Sequence, residues 1–146
     1  MDVIFFKSFL PEIFLSISIL LQLIFNVRFI NNLKFNFPII DKEAFSQTIF
    51  ILLFLFVLFL KLKILGYSNN CVFINDENVR CLKIILSLVC IFSIMILIQI
   101  FSSEYLNFSE FFSLFLLALL STYLILSSND FIPFYLLIEM QSLCFY

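Results

Sequence analysis

The chain has 146 residues, of which 64% are hydrophobic and 12% charged, and its net charge is −2. A soluble domain is about 45–50% apolar and about 25% charged, and so short a chain cannot hide this much apolar surface from water, so its solvent is lipid. The absence of His excludes haem, copper and histidine-ligated zinc sites, the single glycine (Gly66) excludes phosphate-cradling glycine loops, and scattered Lys and Arg leave no basic patch for nucleic acid.

A spanning helix takes about 20 mostly apolar residues, and the charges cut the chain into segments of that kind. The first span is predicted at 9–28, with Pro11 and Glu12 in its opening turn. Proline loses no hydrogen bond there and a carboxylate suits the positive end of the helix dipole, so Glu12 reads as a capping charge. A polar stretch over 29–43 follows, with Asn31, Asn32, Lys34, Asp41, Lys42 and Glu43. The second span, 44–65, is closed by Lys61 and Lys63, which lay their stems along the apolar edge. Residues 66–80 (GYSNNCVFINDENVR) form the longest polar loop and face water.

The third span is predicted at 81–101, with Lys83 anchoring its end. A short connection, SSEYLNFSE, leads to the fourth span at 111–128, where Ser109 is placed to cap the helix ahead of Glu110. The fifth covers 131–146, with Asp130 as its N-cap and Pro133 still inside the permissive first turn. The expected fold is an all-α integral membrane bundle of about five helices, forming a single membrane domain over 1–146. Sixteen residues of the last span make about 24 Å of helix against a hydrocarbon layer of about 30 Å. Either the helix is short and held by its neighbours, or another chain carries on where this one stops, and the chain reads as a fragment.

The N-terminus shows neither a small-residue cleavage pattern nor an Arg-rich amphipathic presequence. Lys7, Lys61, Lys63, Arg80 and Lys83 on one side outnumber Arg28, Lys34 and Lys42 on the other, which nominally puts the N-terminus inside. The 23 Phe and the abundance of Leu, Ile and Asn can be written with codons poor in G and C, a bias expected of an AT-rich genome such as an organelle's. Close helix contacts in membranes use small residues; with glycine scarce, Ser and Ala118 are expected to serve. Cys71, Cys81, Cys90 and Cys144 form no CxxC pair and read as ordinary thiols, with no metal site.

Glu139 is the exception among the charges. It lies about 12 Å from the start of the fifth span, near the bilayer's middle, where insertion scales charge about 2.5–3.5 kcal/mol for Asp. Such a residue is by default functional, and its partner has to be named. After Lys83 the sequence contains no Lys, Arg or His, so no cation lies on spans four and five. Helical spacing puts Tyr135, Ser142 and Tyr146 on the face of Glu139, while Gln141 points elsewhere. Span four adds the hydroxyls of Ser113, Ser121, Thr122 and Tyr123, which in lipid serve helix contacts more often than chemistry. Hydroxyls orient a carboxyl or hold water but do not neutralise it. A carboxylate whose cationic neighbour comes and goes takes up and releases a proton, and here that cation has to come from outside these residues.

The tail NDFIPFYLLIEMQSLCFY closely resembles the fifth-helix signature of subunit 2 of mitochondrial respiratory complex I, called subunit N in bacteria. That signature is an Asp, a Tyr-Leu pair, Glu-Leu-Gln-Ser-Leu and an aromatic pair. Asp130, Tyr135, Leu136, Glu139, Gln141, Ser142, Leu143, Phe145 and Tyr146 fill its places, with Met140 for the usual Leu. The likeness continues more loosely through EFFSLFLLALLSTYLIL, and LPEIFLSISILL (Leu10–Leu21) is a weaker echo; the middle of the chain resembles only generic membrane sequence.

The resemblance implies part of an antiporter-like, proton-translocating subunit of the mitochondrial inner membrane, within an enzyme that oxidises NADH with ubiquinone. In that family the carboxylate matched by Glu139 pairs with a lysine on the seventh helix. The implied partners are the C-terminal remainder of the subunit as a separate chain supplying the buried lysine, the other membrane-arm subunits, and the bilayer. No cofactor is expected in this chain, since redox chemistry would belong to other subunits, and no independent activity. Two other readings stand beside it: a sodium–proton antiporter-type subunit, which shares the helix-five Glu, and a purely structural membrane subunit with Glu139 as a neutral packing group.

Overall fold

The computed structural model describes residues 9–32, 37–61, 66–67, 72–101 and 109–146. Five helices dominate it: α1 (Leu10–Asn32), α2 (Phe37–Lys61), α3 (Glu77–Phe101), α4 (Ser109–Ser127) and α5 (Phe131–Phe145). The chain is an all-α membrane helical bundle. Four of the helices are long and apolar enough to cross a membrane, over Leu10–Val27, Glu43–Lys61, Glu77–Leu97 and Glu110–Ser127, and α5 is a shorter apolar helix.

Several helices run past the apolar stretch that fixes the span. Helix α1 reaches Asn32 and α2 opens at Phe37, with Pro38 where a first turn tolerates it. Helix α3 opens a turn before the apolar run, because Glu77 supplies the negative charge its N-terminus favours and the Asp76 carbonyl accepts from the Arg80 N–H at 3.0 Å. Ser109 is the first residue of α4; the cap expected of its side chain lies outside the described residues. Asp130 occupies the N-cap position of α5 with extended backbone, but its side chain makes no capping hydrogen bond.

Helix α4 is the axis of the bundle, packing against α1, α2, α3 and α5. Its Phe112, Leu116, Leu119, Leu120 and Tyr123 meet Leu15 and Ile19 of α1, Leu52, Leu55 and Phe59 of α2, and Ile94 of α3. Small side chains allow the close approach that glycine usually provides: Ala44, Ser87, Ala118 and Ser121 are all buried. The helical hydroxyls spend their protons on their own backbones, Ser113 on the Glu110 carbonyl, Ser121 on Ala118 and Thr122 on Leu119, each at 2.7 Å. Each of these three hydroxyls thus has its proton satisfied within its own helix.

The outer faces stay apolar, with Leu20, Leu21, Phe50, Ile85 and Phe92 exposed. Because lipid tails are as apolar as these side chains, burial by itself gives little driving force and packing carries the stability. Leu55→Ala, which opens a cavity in the core, is therefore expected to cost about 2–5 kcal/mol. Phe50→Ala on the outer face is expected to leave stability nearly unchanged. Unfolding of the two variants in mixed micelles checks the contrast.

One end of the bundle is closed by a short strap. Gly66–Tyr67 (β1) and Ile74–Asn75 (β2) pair antiparallel, with Gly66 opposite Asn75 and Tyr67 opposite Ile74. Phe73 then bridges to Ser128, the Asn129 N–H donates to the Val72 carbonyl at 2.8 Å, and the Phe73 ring meets Phe9 edge-on at 6.0 Å. These contacts hold the start of α1, the start of α3 and the α4–α5 corner together.

Candidate functional site

Two carboxylates stand out, and their places differ from what position along the spans suggests. Glu139 lies on the outward face of α5. The half-buried residues Pro133, Leu137, Met140, Gln141 and Cys144 form the stripe that faces α4, and no residue of the helix is fully buried. Glu139, Tyr135, Ser142 and Tyr146 are exposed together on the other side. Tyr135, one turn before, engages the Glu139 carboxylate through its phenol. Ser142 does not reach that carboxylate; its hydroxyl donates to the Glu139 backbone carbonyl at 2.8 Å. Tyr146, the last residue, is fully open. Among the described residues no ion pair includes Glu139. Its face, with Phe131, Ile132, Leu136 and Leu143 exposed beside it, is an apolar helix surface carrying one acid.

Glu12 is more than a cap, and Lys83 does more than anchor the end of its span. Their side chains form a salt bridge of 2.5 Å deep in the chain, with Lys83 only 1% and Glu12 5% exposed. The Lys83 ammonium also donates to Asn75 Oδ1 at 2.7 Å, which fixes the strap over the pair. Both charges sit near helix ends, which is why position along the span suggested water. Rotation about the helix axis decides otherwise. Glu12 shares the buried stripe of α1 with Leu15, Ile19, Gln22 and Asn26, and Lys83 shares that of α3 with Ser87 and Ile94. That 3–4 spacing was readable in the sequence. Removing Lys83 from the water-facing count leaves Lys7, Lys61, Lys63 and Arg80 against Arg28, Lys34 and Lys42, so the charge bias that would orient the chain is weaker still.

Tyr123 is the third member of this centre. Its ring is wholly buried and packs edge-on against Phe59 at 5.2 Å, and its hydroxyl lies near Ser87, Cys90 and Glu12. The Ser87 hydroxyl is spent on the Ile84 carbonyl at 2.7 Å, and neither the Tyr123 hydroxyl nor Glu12 Oε2 completes a hydrogen bond among the described residues. Cys81, Cys90 and Cys144 are free thiols, and Cys71 lies outside the described residues. No group of three or more His, Cys, Asp or Glu among the described residues is placed to hold a metal.

The architecture defines a multi-pass membrane protein with an internal ion pair and an acidic helix on its flank. No protein-family model matches the chain. Comparison with curated proteins does give relatives. The chain is 33% identical over 144 residues to the NADH-ubiquinone oxidoreductase chain 2 of Marchantia polymorpha, a match covering 97% of this chain and 29% of that protein. It is 30% identical over 145 residues to the protein of the same name from Oenothera berteroana, covering 97% and 30%. The Arabidopsis thaliana protein of that name is 29% identical over 145 residues, covering 97% and 29%. The chain therefore spans less than a third of the length of the curated relatives it matches. The resemblance to subunit 2 of respiratory complex I holds across nearly the whole chain, including the middle, whose own residues carry no motif beyond generic membrane sequence.

Proposed function

We propose that this chain is the N-terminal portion of an antiporter-like subunit 2 of a proton-translocating NADH:ubiquinone oxidoreductase in the mitochondrial inner membrane. Glu139 is its proton-carrying carboxylate. The observation that carries this reading is the likeness to chain 2 over 97% of the chain, ending on a helix whose outward face presents one acid among apolar side chains.

An acid on such a face needs a cation, and this chain has none after Lys83. The part of the subunit that lies beyond the matched length of the relatives lays a helix over α5 and brings a lysine to Glu139. Tyr135 holds the carboxylate in position while that lysine approaches and withdraws. When it is near, the charged carboxylate is favoured; when it withdraws, desolvation favours the protonated acid. Electron transfer takes place in other subunits, and the energy it releases drives the lysine's movement.

Isolating the chain from its own membranes through a terminal tag tests the assignment. The expected result is co-purification of NADH-dependent ubiquinone reduction together with membrane sequence matching the rest of the relatives' length. Purification of the tagged chain free of that activity would contradict it.

A further inference from the structure

We propose that Glu12, Lys83 and Tyr123, with Asn75 and Ser87, form a second proton-exchange site built around internal water and separate from Glu139; it rests on reading this chain as part of a proton-translocating assembly. The Glu12–Lys83 pair is excluded from solvent on both sides, with Lys83 1% and Glu12 5% exposed. A buried pair is stable only when its remaining lone pairs and protons find partners. Two polar atoms at this centre lack one among the described residues: Glu12 Oε2, an acceptor, and the Tyr123 hydroxyl, a donor. They belong to one buried cluster: Tyr123 lies beside Ser87, which stands one helical turn after Lys83 on the buried stripe of α3, and Lys83 holds Glu12. A water between them accepts from the phenol and donates to Oε2, and internal waters occupy sites where two to four polar partners converge.

That arrangement does chemistry that a simple staple does not. Lys83 is tied to Oε1 and to Asn75 Oδ1, so Oε2 is the basic atom left free. An excess proton arriving as hydronium at the internal water forms an O–H bond at Oε2 as the hydronium O–H bond breaks, leaving water and a neutral carboxyl. Lys83 stays an ammonium, held by Asn75, and the site carries one positive charge until the proton leaves by the reverse step. The titratable groups facing the centre are Glu12 from α1, Lys83 and Cys90 from α3, and Tyr123 from α4; α2 contributes the Phe59 ring and the strap contributes neutral Asn75. Phe9 and Phe73 lie at the same end of the bundle.

The test uses the assembled oxidoreductase in proteoliposomes, reading protons moved per NADH oxidised and the carboxylic C=O band in redox-difference infrared spectra. Glu12→Gln is expected to remove a deuterium-sensitive band that Glu139→Gln retains, and to lower the proton ratio. Tyr123→Phe keeps the ion pair and the ring packing but removes the donor to the water. It is expected to shift the same band and to slow translocation several-fold, so the proposal remains testable if Glu12→Gln fails to assemble. Unchanged bands and ratio in Tyr123→Phe, or in an assembled Glu12→Gln, overturn the second site. If Glu139→Gln also leaves translocation unchanged, the reading of the whole chain fails; if Glu139→Gln alone abolishes it, only the second site does.

Discussion

Glu139→Gln is expected to abolish proton translocation by the assembled complex while leaving the chain's own folding nearly untouched. The amide has the size of the carboxyl and keeps a hydrogen-bonding atom for Tyr135, but it neither takes up a proton nor attracts a lysine. Within this chain Glu139 is exposed and its recorded neighbours are on α5 itself. Exposed substitutions of this kind move stability by about 0.5 kcal/mol or less. The separation between a lost proton ratio and an intact bundle distinguishes a working carboxylate from a packing group. Proton uptake measured beside NADH oxidation in proteoliposomes, with assembly checked on native gels, reads both. Unchanged translocation would favour the purely structural alternative.

The second large effect is expected at Lys83. Lys83→Met leaves Glu12 buried and without its cation, and breaking a buried pair from one side costs about 3–5 kcal/mol. The loss reaches beyond α1 and α3, because Lys83 also holds Asn75 and with it the strap that joins the start of α1 to the α4–α5 corner. The double variant Glu12→Gln with Lys83→Met removes both charges together and is expected to recover most of that loss. Unfolding the wild-type, single and double variants in mixed micelles gives the coupling between the two residues. A coupling near zero would mean that the pair contributes nothing to the bundle.

How much of this was legible beforehand depends on the kind of information each feature carries. Composition and the spacing of charges determine the membrane bundle, because an uncharged apolar stretch of helical length has few other stable fates. The tail around Glu139 carries a motif, so the resemblance to complex I subunit 2 is visible in a single helix. Linear position misplaces Glu12 and Lys83, because it says how far along a span a charge lies, while burial depends on which way it turns. Only the stripe of buried residues at 3–4 spacing on each helix records that turn. The two-residue strands at Gly66–Tyr67 and Ile74–Asn75 are too short to show an alternating pattern, and the bridge from Phe73 to Ser128 joins residues far apart in sequence. Asp130 has the residue type and position of a cap, yet capping depends on a side-chain rotamer that sequence does not encode.

The most direct measurement is an experimental structure of the membrane assembly that contains this chain, read at one distance. The expected result is a lysine ammonium, carried by a polypeptide segment outside these 146 residues, lying across the outward face of α5 within about 4 Å of the Glu139 carboxylate. A Glu139 side chain bordered only by lipid, with no cation on the segment that covers α5, would contradict the account.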